Sequence, residues 1–108
     1  MPGSRFVVVL TTTDNRRLAG RIAAALVEQR LAACVQVSGP VTSTFRWQGK
    51  TEKATEYLLL VKTTRARFPA VENAIKALNT YAVPEIIALP VTAGSRDYLA
   101  WLAEAVKT

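Results

Sequence analysis

An α+β sandwich with the element order βαββαβ and an extra C-terminal helix is predicted by three observations. Two short runs, Phe6–Leu10 and Tyr57–Val61, are apolar at every position, as strands buried on both faces are. Each is followed by a stretch with aliphatic residues at helical spacing, around Leu18, Ile22 and Leu26 and then around Val71, Ile75 and Leu78. Between the two halves lie alternating segments joined by the turn residues Gln48-Gly49-Lys50, which reads as a hairpin. Two right-handed βαβ crossovers linked by a hairpin make the split-βαβ, ferredoxin-like arrangement, whose first and third strands are central. Those two strands are the unbroken apolar runs, so pattern and topology agree.

The first strand, Phe6–Leu10, ends in Thr11-Thr12-Thr13-Asp14, where Thr13 or Asp14 is expected to cap a helix reaching about Arg30. Gly20 lowers the propensity of that helix by roughly 1 kcal/mol relative to alanine, which leaves two readings, close packing against a neighbour or simple tolerance. The second strand starts at Ala32, bends or bulges at Gly39-Pro40, and continues through Trp47. The return strand begins near Lys53. Pro69 suits the first turn of the second helix, with Thr64 an alternative cap. Glu85–Leu89 forms the fourth strand, closed by Pro90, and Ser95 caps a last helix carrying Leu99, Leu102 and Val106. The helices are expected on one face of the sheet. The other face is then left apolar and uncovered, which a homo-oligomer packed sheet to sheet would resolve.

The 108 residues carry 14 Lys+Arg against 8 Asp+Glu, a formal net charge of +6, and no histidine. Half are apolar and 20% charged, a globular composition that predicts one domain over residues 1–108. The lack of histidine excludes imidazole bases and ligands, including His-based zinc sites and Ser-His-Asp hydrolysis. One cysteine forms no internal disulfide, no signal-peptide pattern is seen, and no apolar stretch approaches the ~20 residues of a membrane span. A cytoplasmic protein without membrane partners is the expectation.

Cys34, between alanine and valine in a strand, reads as a small buried hydrophobe more than as a thiolate ligand, and is at most a weak metal candidate. Glu52, Glu56, Glu85 and Asp97 are too dispersed for a paired acid/base mechanism. Without GxGxxG or P-loop patterns, no nucleotide cofactor is indicated; Thr11–Asp14 reads as a cap before an anion site. Trp47, Lys62, Tyr81, Tyr98 and Trp101 suit either a cleft between subunits or interface packing. Arginines cluster at Arg16, Arg17 and Arg21 and again at Arg65 and Arg67. An RNA-binding sheet of this topology needs exposed aromatics on its central strands, and here those strands offer valine and leucine. Nucleic acid is not an expected partner.

Longer stretches resemble one family. Leu26–Val35, Thr42-Ser43, Trp47–Lys50, Glu56, Leu60–Thr63, Tyr81–Val91 and Asp97–Leu102 are similar, in order and spacing, to the CutA divalent-cation-tolerance proteins. The resemblance implies a ferredoxin-like homotrimer similar to PII-type signalling proteins, non-enzymatic, with a role in the response to divalent metal ions. It also implies an intersubunit cleft drawing on Trp47, Glu56, Lys62, Tyr81 and Glu85, which lie in the matching segments and would receive a metal ion or small molecule. A small-molecule or anion sensor on the same trimeric scaffold is the alternative, suited by Lys62 and the positive charge. Copper or another divalent metal is the ligand the family implies. In copper-binding members the first strand ends in cysteine and a histidine pair precedes a Pro-Tyr. The aligned positions here are Thr11, Leu78 and Asn79, with Thr80 for the proline, and they supply no soft or imidazole donor. Calorimetry with cuprous or cupric ion is expected to show no stoichiometric, sub-micromolar site per chain; such a site would contradict this reading, and its loss in Cys34→Ala would locate it.

Overall fold

The structure is a computed structural model that describes residues 4–108. Its elements run β1 (Phe6–Thr13), α1 (Arg16–Glu28), β2 (Cys34–Trp47), β3 (Lys50–Thr64), a 3-10 turn (Arg65–Arg67), α2 (Phe68–Leu78), β4 (Ile87–Pro90) and α3 (Arg96–Ala105). The four strands form one antiparallel sheet in the order β2-β3-β1-β4, with β1 and β3 central as the apolar runs require.

Alternation along the central strands divides the sheet into two unlike faces. Val7, Val9, Leu59 and Val61 point to one side and are buried with Leu18, Ile22 and Leu26 of α1 and Val71 and Ile75 of α2. The opposite parity carries Phe6, Val8, Leu10, Leu58 and Leu60, each only half-buried. Contrary to the expectation that all helices share a face, α3 crosses this second side. Its Leu102 and the following Val106 pack on Phe6 and Ala33, and Tyr98 lies over the Lys62 ammonium at 5.7 Å. Arg67 fixes the end of this helix by donating from Nε (3.0 Å) and Nη2 (2.7 Å) to the Val106 carbonyl. Cover is incomplete: Ile87 and Leu89, which pair with Leu10 and Val8, stay 49% and 48% exposed.

Local chemistry moves several boundaries. β1 continues to Thr13 because Thr11, Thr12 and Thr13 pair with Leu59, Leu58 and Tyr57. The cap of α1 therefore falls to Asn15 and not to Thr13 or Asp14, its Oδ1 accepting the Leu18 N–H at 2.9 Å. That helix ends at Glu28, and Arg30 turns the chain with a left-handed φ of 60°. Gly20 is exposed, and among the described residues nothing lies within 4 Å of where a Cβ would be, so within the protomer the glycine is tolerated and not closely packed. Thr64 makes no side-chain cap bond, since the 3-10 turn intervenes before α2. β4 starts at Ile87 and includes Pro90, which an edge strand tolerates because the missing N–H costs no ladder bond on the open side.

β2 and β3 continue beyond the end of β1 as a two-stranded arm. Its turn is Gln48-Gly49, with φ of 50° and 79°, the two positive values a tight hairpin turn needs, so β3 starts at Lys50, ahead of the expected Lys53. The arm gives a radius of gyration of 14.4 Å, above the ~13 Å usual for a chain of this length. At its root, Gly39 and Pro40 bulge opposite Tyr57. Gly39 has φ +145°, and a Cβ there would stand 2.8 Å from Tyr57 Cδ2 and 3.0 Å from the Glu56 carbonyl oxygen. Gly39→Ala combines strain with a backbone clash and is expected to lower stability by about 1–3 kcal/mol in urea unfolding; an unchanged midpoint would show that the arm root is not rigid.

Candidate functional site

Where β1 stops and the arm continues, a cleft of about 700 Å³ opens. The end of β1 supplies Thr12 and Asp14, and the arm supplies Ser43–Phe45, Trp47 and Glu52–Ala54 with Glu56 at its base. The α2–β4 loop closes it with Tyr81–Glu85. Register explains the grouping. Phe45 pairs with Glu52 and Ser43 with Ala54, so these side chains share the face to which Glu56 and Thr12 belong.

The centre is a hydrogen bond from Tyr81 Oη to Glu56 Oε2 at 2.6 Å. Glu56 is 8% exposed, the only buried acidic residue among the described residues. Burial pushes the Tyr81 phenol well above its ordinary range, helped by the hydrogen bond to Glu56 and by the negative charges of Glu56 and Asp14. Tyr81 thus remains a neutral donor. Asn79, which sequence reasoning did not select as a site residue, positions it. Its Nδ2 donates to the Thr12 carbonyl at 3.0 Å, and its Oδ1 accepts the Tyr81 N–H at 3.2 Å. A polar residue just after a helix that ends before a turn is the signal that marks such an anchor.

Of the five cleft candidates, Trp47, Glu56, Tyr81 and Glu85 line this cavity and Lys62 does not. Lys62 shares the parity of Glu56, but six residues along a strand is about 20 Å. It sits beneath Tyr98, opposite Val8 and Cys34. Cys34 is half-buried there and is not the enclosed hydrophobe expected. At the positions aligned with copper ligands, Thr11 is fully buried with no partner for its Oγ1, Leu78 packs against the core, and Asn79 is occupied as described. These donors do not fit copper. Among the described residues no cluster of three or more Cys, Asp or Glu is placed to hold a metal ion.

Residues 7–105 match the family model described as CutA1 divalent ion tolerance protein. The chain belongs to this family. A curated CutA relative, the divalent-cation tolerance protein of Thermus thermophilus, is 53% identical over 97 residues, covering 90% of this chain and 94% of the relative. Human protein CutA is 38% identical over 108 residues, of which this chain spans 60% of the human length. Among solved CutA structures, that of the Thermus thermophilus divalent cation tolerance protein superposes with a TM-score of 0.91 at 51% identity, covering 93% of this chain and 97% of that one. The CutA of Xylella fastidiosa gives 0.93 at 36% identity, over 96% and 100% of the two chains. The ferredoxin-like arrangement expected from the sequence is thus that of CutA. No helix is long and apolar enough to cross a membrane among the described residues.

The Tyr81–Glu56 bond carries a pH signature. The folded phenol pKa lies above the unfolded value of about 10, so its stabilisation is complete below pH ~10 and is lost as pH rises through the folded value. Tyr81→Phe is expected to lower stability by about 1–2 kcal/mol at neutral pH, with the difference from wild type shrinking above pH ~10 in denaturant titrations; a pH-independent difference would refute the assignment.

Proposed function

We propose that this chain acts in tolerance of divalent cations as a cytoplasmic, non-enzymatic homotrimer working through a cleft between subunits. The observation that carries the reading is the continuity of the cleft with the uncovered sheet face. Glu56 and Thr12 stand on the same face as Leu58, Leu60 and Leu10, and the exposed Ile87 and Leu89 border them. Burying that apolar face against other copies brings the cleft to the rim of the interface, and the arm, with Trp47 45% and Phe45 42% exposed, is free to wall it. Membership of the CutA1 divalent ion tolerance family supports the tolerance role, and three copies is the assembly that the resemblance to CutA proteins implies.

Chemistry speaks against an enzyme here. The cleft has neither imidazole nor thiol, and its one buried carboxylate is engaged by a phenol that stays protonated. Compartment is argued from the absence of structural disulfides, one cysteine being present. Relatives differ on this point, since an Archaeoglobus fulgidus CutA structure is named periplasmic and an Arabidopsis thaliana CutA chloroplastic.

An anion sensor fits less well than a cation or neutral small molecule. Four of the chain's eight carboxylates line the cleft (Asp14, Glu52, Glu56 and Glu85), against one of its 14 basic residues, Lys53. Sedimentation equilibrium is expected to give a trimer for the wild-type chain and a monomer for Leu60→Lys; a wild-type monomer at micromolar concentration overturns the assembly. In a strain lacking its own CutA, the wild-type chain is expected to restore growth in elevated copper or zinc and Leu60→Lys to fail. No restoration by the wild type would count against the tolerance role.

A further inference from the structure

The cleft combines three properties, of which the first two are not what a bare metal ion calls for. It is walled by aromatic rings, Trp47 and Phe45 on the arm and Tyr81 on the loop. Its volume, about 700 Å³, is that of sites for organic molecules, which run to several hundred Å³. Its charge is strongly negative in a protein whose net charge is +6. Calcium or magnesium takes about six or more oxygen donors converging within ~2.6 Å and zinc about four donors at about 2.0–2.3 Å. The carboxylates here are spread over the end of β1, the arm and the loop without forming a ligand cluster among the described residues.

Glu56 sharpens the argument. The residue is more than nine-tenths buried, one carboxylate oxygen accepts from Tyr81, and among the described residues no lysine or arginine pairs with it within 4 Å. A buried carboxylate without a cationic partner is costly unless a ligand supplies the charge. The partner that suits both the carboxylate and the rings is a cation of low charge density, because it gives up hydration readily and is attracted to aromatic faces.

We infer that the cleft binds an organic ammonium ion, its charge set against Glu56 and its alkyl groups against Trp47 and Phe45. The inference rests on the reading of this cleft as the functional site, and it names the ligand class. Asp14, Glu52 and Glu85 then act at longer range, raising the local concentration of cations at the mouth.

The test is isothermal calorimetry on the full chain, with choline chloride and with 3,3-dimethylbutan-1-ol, its uncharged isostere, as probes. Choline is expected to saturate at one site per chain and the isostere to bind at least about tenfold more weakly. Trp47→Leu and Glu56→Gln should each weaken choline by about tenfold, while Trp47→Phe, which keeps a ring, retains most of the affinity. Trp47 is exposed on the arm and Gln can still accept from Tyr81, so both variants are expected to fold, which circular dichroism and sedimentation check. Equal affinity for the two probes, or no saturable choline binding in the millimolar range, overturns the inference. Zinc chloride titrated into the same variants then locates the failure. Zinc binding lost in Glu56→Gln without choline binding leaves the cleft as the site and the ligand class wrong. Zinc binding indifferent to both substitutions, again without choline binding, removes the cleft reading as well.

Discussion

The structure turns on a mismatch in strand length. β1 has 8 residues and its central partner β3 has 15, so half of β3 runs on with β2 as its only neighbour. A two-stranded ribbon has no layer to bury it, and it therefore exposes both faces, including Phe45 and Trp47. The point at which β1 ends is also where a concave surface must form, because the sheet narrows from three strands to two. Glu56 is the first residue of β3 beyond the last β1 pair, Thr13–Tyr57. Its burial is supplied from outside the sheet, by the loop that Asn79 ties to Thr12.

Much of this was legible in the residues, for identifiable reasons. The unbroken runs at Phe6–Leu10 and Tyr57–Val61 mark central strands because only those are flanked on both sides, and the order of periodicities leaves one simple topology. What escaped was set by tertiary pairing. Thr13, Asp14 and Asn15 are all good capping residues, and the choice among them falls to how far β1 pairs along β3. The face taken by α3 was hidden because a terminal helix is bound by no crossover rule; Arg67 and the patch of Phe6 and Ala33 decide it. All five cleft candidates stood in segments shared with the CutA proteins, but a shared segment does not fix distance. Trp47, Glu56, Tyr81 and Glu85 line the cavity, while Lys62 lies about 20 Å further along β3, beneath Tyr98.

Charge and burial are arranged in opposition. The first helix presents Arg16, Arg17 and Arg21 to solvent, all exposed, while the cleft gathers carboxylates on the other face of the sheet. Surface charges separated by more than the ~8 Å screening length at physiological salt act nearly independently. The overall positive charge therefore does not neutralise the cleft. A cation approaching the arm meets the local field of Asp14, Glu52, Glu56 and Glu85, and the net charge that first pointed to anionic partners is a poor guide to the site.

In the proposed assembly, this geometry would couple self-association to ligand binding. Leu58 and Leu60 continue directly from Glu56 on one face of β3, separated by a single inward-facing residue each. Covering the leucines with another copy also withdraws water from the neighbourhood of Glu56. That raises the cost of leaving its charge uncompensated and strengthens any interaction with a bound cation. A ligand that neutralises Glu56 would in turn favour the covered state, and by linkage the two equilibria must support each other to the same extent. The short β1 strand thus sets more than the shape of the arm: it places the buried Glu56 carboxylate where, in the proposed assembly, self-association and ligand charge would act on the same group.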